Sequence, residues 1–386
     1  MRALSILTYY LNNKRKVAPV TGIIALAVLA ISVTGALTGS LFEDEKRELA
    51  YYDRFAVVFS NQRSGLSDGM LRQLKNHPAV AETYEVVRRT TRTQGIFGSE
   101  GRPIYFLSET DREAFAHRLG WRLTEGRWPR TGTNEVALTE NILRNRGLEL
   151  GGRIGDVADE KDWLDGEWLI AGTLASDAVT GGVGDRSYIR ERFLTDPDLP
   201  PEVANRPHVL TIRPAEGKDL ELEAFLDSLP KDQVDAFHRT EARRRLDEEL
   251  ANVNMILWIL NGISIVVLSL ALGLLNVIFF MQRANEFGLL AALGYTKRFL
   301  IRRTFLEATV TVAIGWVLGI LFSQVIYSVI NAVLFIPKGL APLTILTSRM
   351  LLFTVPVPVT VTVFSVAIVV WQLWRMDPVS IIERRD

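Results

Sequence analysis

Four histidines, His77, His117, His208 and His238, are the only imidazoles in the chain, and they are scattered without the spacing a metal site or proton relay needs. They read as ordinary surface or loop residues. There is no cysteine, so neither a disulfide framework nor a thiolate metal site can form. The acidic run Asp156, Asp159, Glu160, Asp162, Asp165 and Glu167 invites a calcium reading. It lacks the alternating oxygens, central Gly and closing Glu of an EF-hand loop, and reads instead as a solvated loop face. Gly181-Gly182-Val183-Gly184 is not followed by Lys-Ser/Thr, so it offers no phosphate cradle and reads as a flexible loop. His-Glu-x-x-His does not occur. No catalytic constellation emerges, and the chain reads as a non-enzyme with no cofactor or metal of its own.

The chemistry that remains is recognition. Arg283-Ala284-Asn285-Glu286-Phe287-Gly288-Leu289-Leu290-Ala291-Ala292-Leu293-Gly294 lies between two long uncharged runs. A span-connecting loop in water is usually a short polar turn, yet Phe287, Leu289, Leu290 and Leu293 recur here at helical spacing. That pattern predicts a short amphipathic helix along the membrane surface, whose apolar ridge can dock another protein.

The elements that position this helix are membrane spans. Charges are absent from 17–42, 250–282, 308–337 and 350–374. Each run exceeds the roughly 20 apolar residues that cross about 30 Å of hydrocarbon. The expected organisation is a basic N-terminal segment over 1–16, a first span over 17–42, a soluble domain over 43–250 and a second span over 251–282. The coupling loop follows over 283–307, then a third span over 308–337, a short loop over 338–349, a fourth span over 350–374 and a tail over 375–386. Residues 1–16 form either a short interfacial helix or a basic flank that fixes orientation. The first span reads as an uncleaved anchor, because its 26 uncharged residues exceed the roughly 7–15 of a signal-peptide core. Gly35 and Gly39 make a GxxxG pair; Gly315, Gly319 and Ser323 make a small-residue stripe suited to tight helix packing or a dimer seam. Pro356 and Pro358 suggest a kink in the fourth span, and Trp371 and Trp374 an aromatic belt at its end.

The segment 43–250 carries 30 Lys/Arg and 39 Asp/Glu, a net of −9, and no basic nucleic-acid-binding face. Strands are expected at 55–59, within 82–93, and at 104–107, 135–138, 169–172, 188–189 and 209–212. Helices are expected at 68–76, 139–143 and 220–229, so the domain reads as α+β. Glu43 to Leu49 and 240–254 contain no breaker and read as helical stalks that transmit displacement to the domain.

By the positive-inside rule, the N-terminal segment, the 283–307 loop and the C-terminal tail, with 4, 5 and 3 basic residues, lie in the cytoplasm; the 338–349 loop has only Lys338 and Arg349. The soluble domain then faces outward. Within the spans there is no Asp, Glu, Lys or Arg; the carboxamides there include Asn261, Asn276, Gln324, Asn331 and the terminal Gln282 and Gln372. Ion-coupled transport commonly needs charges at depth, and the chain has no P-loop. An energy source outside the membrane part is implied.

Here the sequence resembles a known family. Glu286, Gly288, Leu290, Ala292, Leu293 and Gly294, with Phe305-Leu306-Glu307 opening the third span, are similar to the signature of FtsX/MacB-like ABC transporter permeases. Arg375-Met376-Asp377-Pro378-Val379 with Glu383 resembles the family's C-terminal box. Gly126-Arg127-Trp128, Asn134-Glu135-Val136-Ala137-Leu138 and Leu148-Glu149-Leu150-Gly151 resemble its MacB-like extracytoplasmic core domain. Ala291 departs from the Arg often found there. The resemblance implies four transmembrane α-helices, with a large α+β extracytoplasmic domain inserted between the first and second, in the bacterial cytoplasmic (inner) membrane. It implies pairing with a second permease copy, homo- or heterodimeric, and with a cytosolic ABC ATPase subunit that binds ATP-Mg, alongside membrane lipid and a periplasmic adaptor protein. Glu286 would offer the ATPase a charge partner, and Phe287, Leu290 and Leu293 the apolar contact, with Gly288 and Gly294 completing the coupling helix. The output is either efflux or extraction of a hydrophobic or amphipathic substrate, or mechanotransmission to a periplasmic or cell-wall enzyme without transport.

Overall fold

The computed structural model describes residues 14–95, 98–176, 179–190, 206–282, 290, 293–340, 342–343 and 354–375. The expected N-terminal segment (but for its last three residues), most of the coupling helix and the C-terminal box after Arg375 lie outside them. Two compact units emerge. One comprises 1–40, 251–331 and 343–386, the other 41–250 together with 332–342.

The first described element is helix α1 (Lys14–Tyr52), which runs on through the first expected stalk. It is followed by β1 (Ala56–Ser60), α2 (Asp68–Lys75), β2 (Val80–Glu85), β3 (Val87–Gln94), β4 (Ser99–Leu107), α3 (Glu109–Arg118) and β5 (Arg122–Gly126). Next come β6 (Glu135–Thr139), α4 (Glu140–Arg146), β7 (Arg153–Ile154), β8 (Trp168–Ala175), β9 (Gly182–Asp185), α5 (Arg186–Ile189), β10 (Val209–Pro214), α6 (Asp219–Asp227) and β11 (Val234–Phe237). The segments expected as second stalk and second span form one helix, α7 (Arg239–Gln282); α8 (Lys297–Ile330) and α9 (Pro356–Arg375) are the last described helices.

The soluble unit is α+β, built on two sheets. The four-stranded sheet has the antiparallel order β11-β1-β10-β2. The strand alternation of β1 gives it two buried faces. Ala56 and Val58 join Leu210 and Ile212 against Met70 and Leu74 of α2 and Leu222 and Leu226 of α6. Val57 points the other way, into an aromatic core with Tyr84, Tyr105, Phe115 and Trp121. The second sheet has the order β3-β4-β9-β6-β8-β5, with β7 beside β8; β4 with β9 and β6 with β8 are parallel pairs. Its strands β3 to β9 are inserted between β2 and β10. Phe106, Val136, Leu138, Trp168 and Ile170 fill one face, and Tyr105, Leu107, Ala137 and Val183 face the aromatic core.

Three expectations are corrected. The β-branched run 82–93 is not one strand, because β2 and β3 belong to different sheets and the chain crosses between them at Val86. The glycine-rich 181–184 stretch is no flexible loop: Gly182 to Gly184 form most of the buried strand β9, between β4 and β6. A Cβ at Gly184 would fall 2.4 Å from the Phe106 ring, so only glycine lets that ring cover the strand. Tyr188-Ile189 is helical, because the Asp185 side chain caps α5 by accepting from the Tyr188 N–H. Pro356 and Pro358 sit in the first turn of α9, where missing N–H groups cost little; residues 350–353 of the expected fourth span lie outside the described residues.

The helical unit has a core of Val20, Ile24, Val28 and Ile31 from α1, Val312 from α8 and Val357 and Val361 from α9. Among the described residues, Val17–Ala36, Arg239–Val267 and Arg298–Phe335 are long and apolar enough to cross a membrane, whereas the apolar helix Pro356–Ile368 is shorter.

Candidate docking turn and coupling helices

Of the expected docking residues, Glu286, Phe287 and Gly288 lie outside the described residues. Leu290, Leu293 and Gly294 form the end of a helical turn. The Tyr295 N–H donates to the Leu290 carbonyl at 3.1 Å across Gly294, whose φ is +88°. This is the six-to-one bond of a Schellman stop, and the left-handed residue in it favours glycine. Leu293 is 69% exposed. Thr296 then caps α8, its hydroxyl accepting from the Phe299 N–H, and Tyr295 stacks on Phe299 with ring centroids 5.0 Å apart. The result is a sharp helix-to-helix turn with exposed Leu293, Tyr295 and Phe299. Behind it, Arg303 donates to Glu307 at 3.1 Å, both largely buried.

The stripe Gly315, Gly319 and Ser323 lies on the side of α8 that meets α1. A Cβ at Gly315 would lie 2.8 Å from the Ile24 Cβ, and one at Gly319 would lie 2.7 Å from the Val28 Cβ and 2.8 Å from the Ala25 carbonyl. Ser323 is buried, its hydroxyl donating to the Gly319 carbonyl within α8 at 2.8 Å. The two backbones approach at a distance that larger residues forbid. At Gly39 a Cβ would meet nothing within 4 Å. The Trp316 indole donates to the Thr354 hydroxyl, tying α8 to the segment before α9. An open groove of about 420 Å³, lined by Ile23, Ala27 and Ile31 of α1 and Ile263 and Val267 of α7, borders this core.

Where the stalks reach the soluble unit, they meet. Asp53, just after α1, accepts from Arg239 Nε at 2.8 Å and from Arg243 at 2.9 Å. The Tyr52 ring packs edge-on against Phe237 at 5.0 Å, and the Arg245 guanidinium lies 4.6 Å above Phe237. One residue earlier, Tyr51 stacks on Tyr105 of the larger sheet at 5.4 Å and shares a 3.0 Å hydroxyl bond with Thr211 of the smaller one. Burial pushes the Tyr51 phenol well above its usual range. The last turn of α1 is thus bonded to both sheets. The lack of breakers in both helices is visible in the sequence, but these residues are not, since no local pattern marks partners so far apart.

Two readings of polar residues are also corrected. Asp162 is no solvated acid: its side chain is buried and takes bonds from Arg146, from the Thr91 hydroxyl and from the N–H groups of Arg92, Gly155 and Trp163. Burial would raise its carboxyl, but Arg146 and these donors hold it below the usual range. His238 is no surface residue. It is 5% exposed, with Nε2 3.2 Å from Asp227 and Nδ1 3.5 Å from Glu223. Glu135, at the start of β6, is gripped by Arg127 and the Arg130 N–H; the Arg127 bonds, outweighing burial, take its carboxyl down to about 2. Among the described residues, no three His, Asp or Glu side chains converge as metal ligands.

Residues 258–378 match the family described as FtsX-like permease C-terminal. The comparison with curated proteins found no match. Among solved structures, the periplasmic region of MacB from Actinobacillus actinomycetemcomitans aligns at TM-score 0.31 and 11% identity, covering 51% of this chain and 94% of that one. The extracellular domain of the ABC-type transporter YknZ from Gram-positive bacteria aligns at TM-score 0.29 and 8% identity, covering 44% and 87%. A domain of a permease protein from Porphyromonas gingivalis aligns at 0.27 and 12%, covering 48% and 90%.

Proposed function

We propose that this chain, which carries an FtsX-like permease C-terminal domain over residues 258–378, is the permease subunit of an ABC-type complex in the bacterial inner membrane. The family match is the observation that carries the reading, because it spans the segment with the apolar docking turn. A separate cytosolic ATPase supplies ATP-Mg hydrolysis, and two permease copies pair in the membrane with both termini in the cytoplasm. Glu286, Phe287, Leu290 and Leu293 take the push of the ATPase. Helices α1 and α7 carry it outward, and their joint at Asp53 delivers it to both sheets of the extracytoplasmic domain. The work done there is efflux or extraction of a hydrophobic or amphipathic substrate, aided by a periplasmic adaptor. A mechanotransmitter that regulates a wall enzyme would use the same parts. Stimulation of ATP turnover by candidate substrates in nanodiscs separates the two.

The reading is tested by co-purification. The wild-type chain is expected to bring down an ATPase, and Gly288→Trp or Leu290→Asp to lose it. Unchanged association and ATP turnover in both variants would remove the docking role.

A further inference from the structure

The turn between α8 and α9 has an unusual architecture. After Ile330 the helix widens into a π-helical turn, Asn331–Phe335, a geometry that recurs at functional sites. The Asn331 side chain then closes the base of the turn with two bonds, donating to the Leu343 carbonyl at 3.0 Å and accepting from the Leu343 N–H at 2.8 Å. What lies between, residues 332–342, groups with the soluble unit although the segments on both sides belong to the helical one.

A second asparagine holds the tip. Asn145, near the end of α4, donates to the Lys338 carbonyl at 2.7 Å and to the Gln94 carbonyl at 2.9 Å, and accepts from the Gln94 N–H at 2.7 Å. One amide thereby ties the end of β3 to the tip of the turn. Beside it, Gly339 has φ +64° and presses on Asn141, whose carbonyl lies 3.0 Å from where a Cβ would sit. The tip itself is compact, with the Gly339 N–H on Ile336 and the Leu340 N–H on Phe335. The strap is therefore preformed and closed at its base, and it is held at its tip by a neutral hydrogen bond and a glycine contact.

We propose that residues 332–342 are a releasable strap: latched to the soluble unit through Asn145 and Gly339, and set free when that unit is displaced. The release step rests on the motor-driven reading above; the latch does not. Because the chain has no cysteine, Arg144→Cys and Lys338→Cys can carry spin labels in the full-length protein in nanodiscs. A single short inter-label distance is expected without nucleotide. Asn145→Ala is expected to raise the longer-distance, released population about five- to tenfold, the factor set by one lost neutral hydrogen bond, and Gly339→Val to do so without touching the Asn145–Gln94 bonds. Trapping the co-purified ATPase with ATP and vanadate is expected to release the strap likewise. A distance unmoved by both substitutions would overturn the latch, and one unmoved by nucleotide in an active complex would make the strap a fixed joint. If no ATPase co-purifies, the motor-driven reading and the release step fall together, while the labelled chain alone still decides the latch.

Discussion

Asp53 and Arg243 stand 190 positions apart in the chain and 2.9 Å apart in space. The contact joins the end of one stalk helix to the start of the other. Both partners are close to half exposed, so in free energy the pair is worth about 0–1 kcal/mol. Its importance is geometric. A double-mutant cycle of Asp53→Asn and Arg243→Gln, read by thermal unfolding, is expected to give a coupling energy within that range. The same variants are expected to weaken the response of ATP turnover to substrate more than they weaken the fold, and equal losses in both would count against a transmitting role.

The close approach of α8 to α1 gives a stability prediction. Gly319→Val places new carbons against Val28 and the Ala25 carbonyl, and overpacking of this kind costs about 1–3 kcal/mol. Its melting temperature in detergent is expected to fall, and that of Gly315→Ala as well, whereas Gly39→Ala, with open space around it, serves as the unchanged control.

Asp162 tests the buried knot of the larger subdomain. Asp162→Ala takes from Arg146, only 11% exposed in its side chain, the buried one of its two carboxylates and leaves it the exposed Asp159, so the cost is expected near the lower end of the about 3–5 kcal/mol of a broken buried pair. Chemical denaturation should register the loss. Replacing Glu160 in the same acidic run, an exposed residue, is expected to change little.

Glu135 supplies the pH dependence. Its folded carboxyl is held down to about 2, chiefly by Arg127. A group depressed on folding contributes stability in full above its unfolded value and loses it as pH falls through the folded one. The difference in melting temperature between wild type and Glu135→Gln is therefore expected to be constant near neutrality and to shrink between about pH 4.5 and 2. A difference that grew on acidification would contradict the assigned pairing.

Much of the fold was legible where side chains alternate or cap. β1, β4 and β6 carry apolar residues on both faces, and α2 follows Ser67, whose hydroxyl accepts from the Met70 N–H. β9 was illegible because its glycines are there to admit Phe106 and Leu138, neighbours brought by other strands. Asp162 was misread for the same reason: its partners Arg146 and Thr91 lie 16 and 71 positions away, and burial of a charge is a property of those partners rather than of its own run. In the candidate site, the Leu293-Gly294 stop could be read locally. The Tyr51 and Asp53 joint could not, since its partners lie beyond any helical or strand period.

The insertion of β3 to β9 into the smaller sheet bears on biogenesis. The ribosome delivers β1 and β2 long before β10 and β11, so the larger subdomain can close while the smaller sheet is still half made. That sheet is completed only by residues up to Phe237, and α7 starts at Arg239. Ordering of the outer domain and delivery of the second apolar helix therefore fall at nearly the same moment of synthesis. Until then β1 and β2 wait with unpaired edges, the state in which a nascent chain is most open to mispairing.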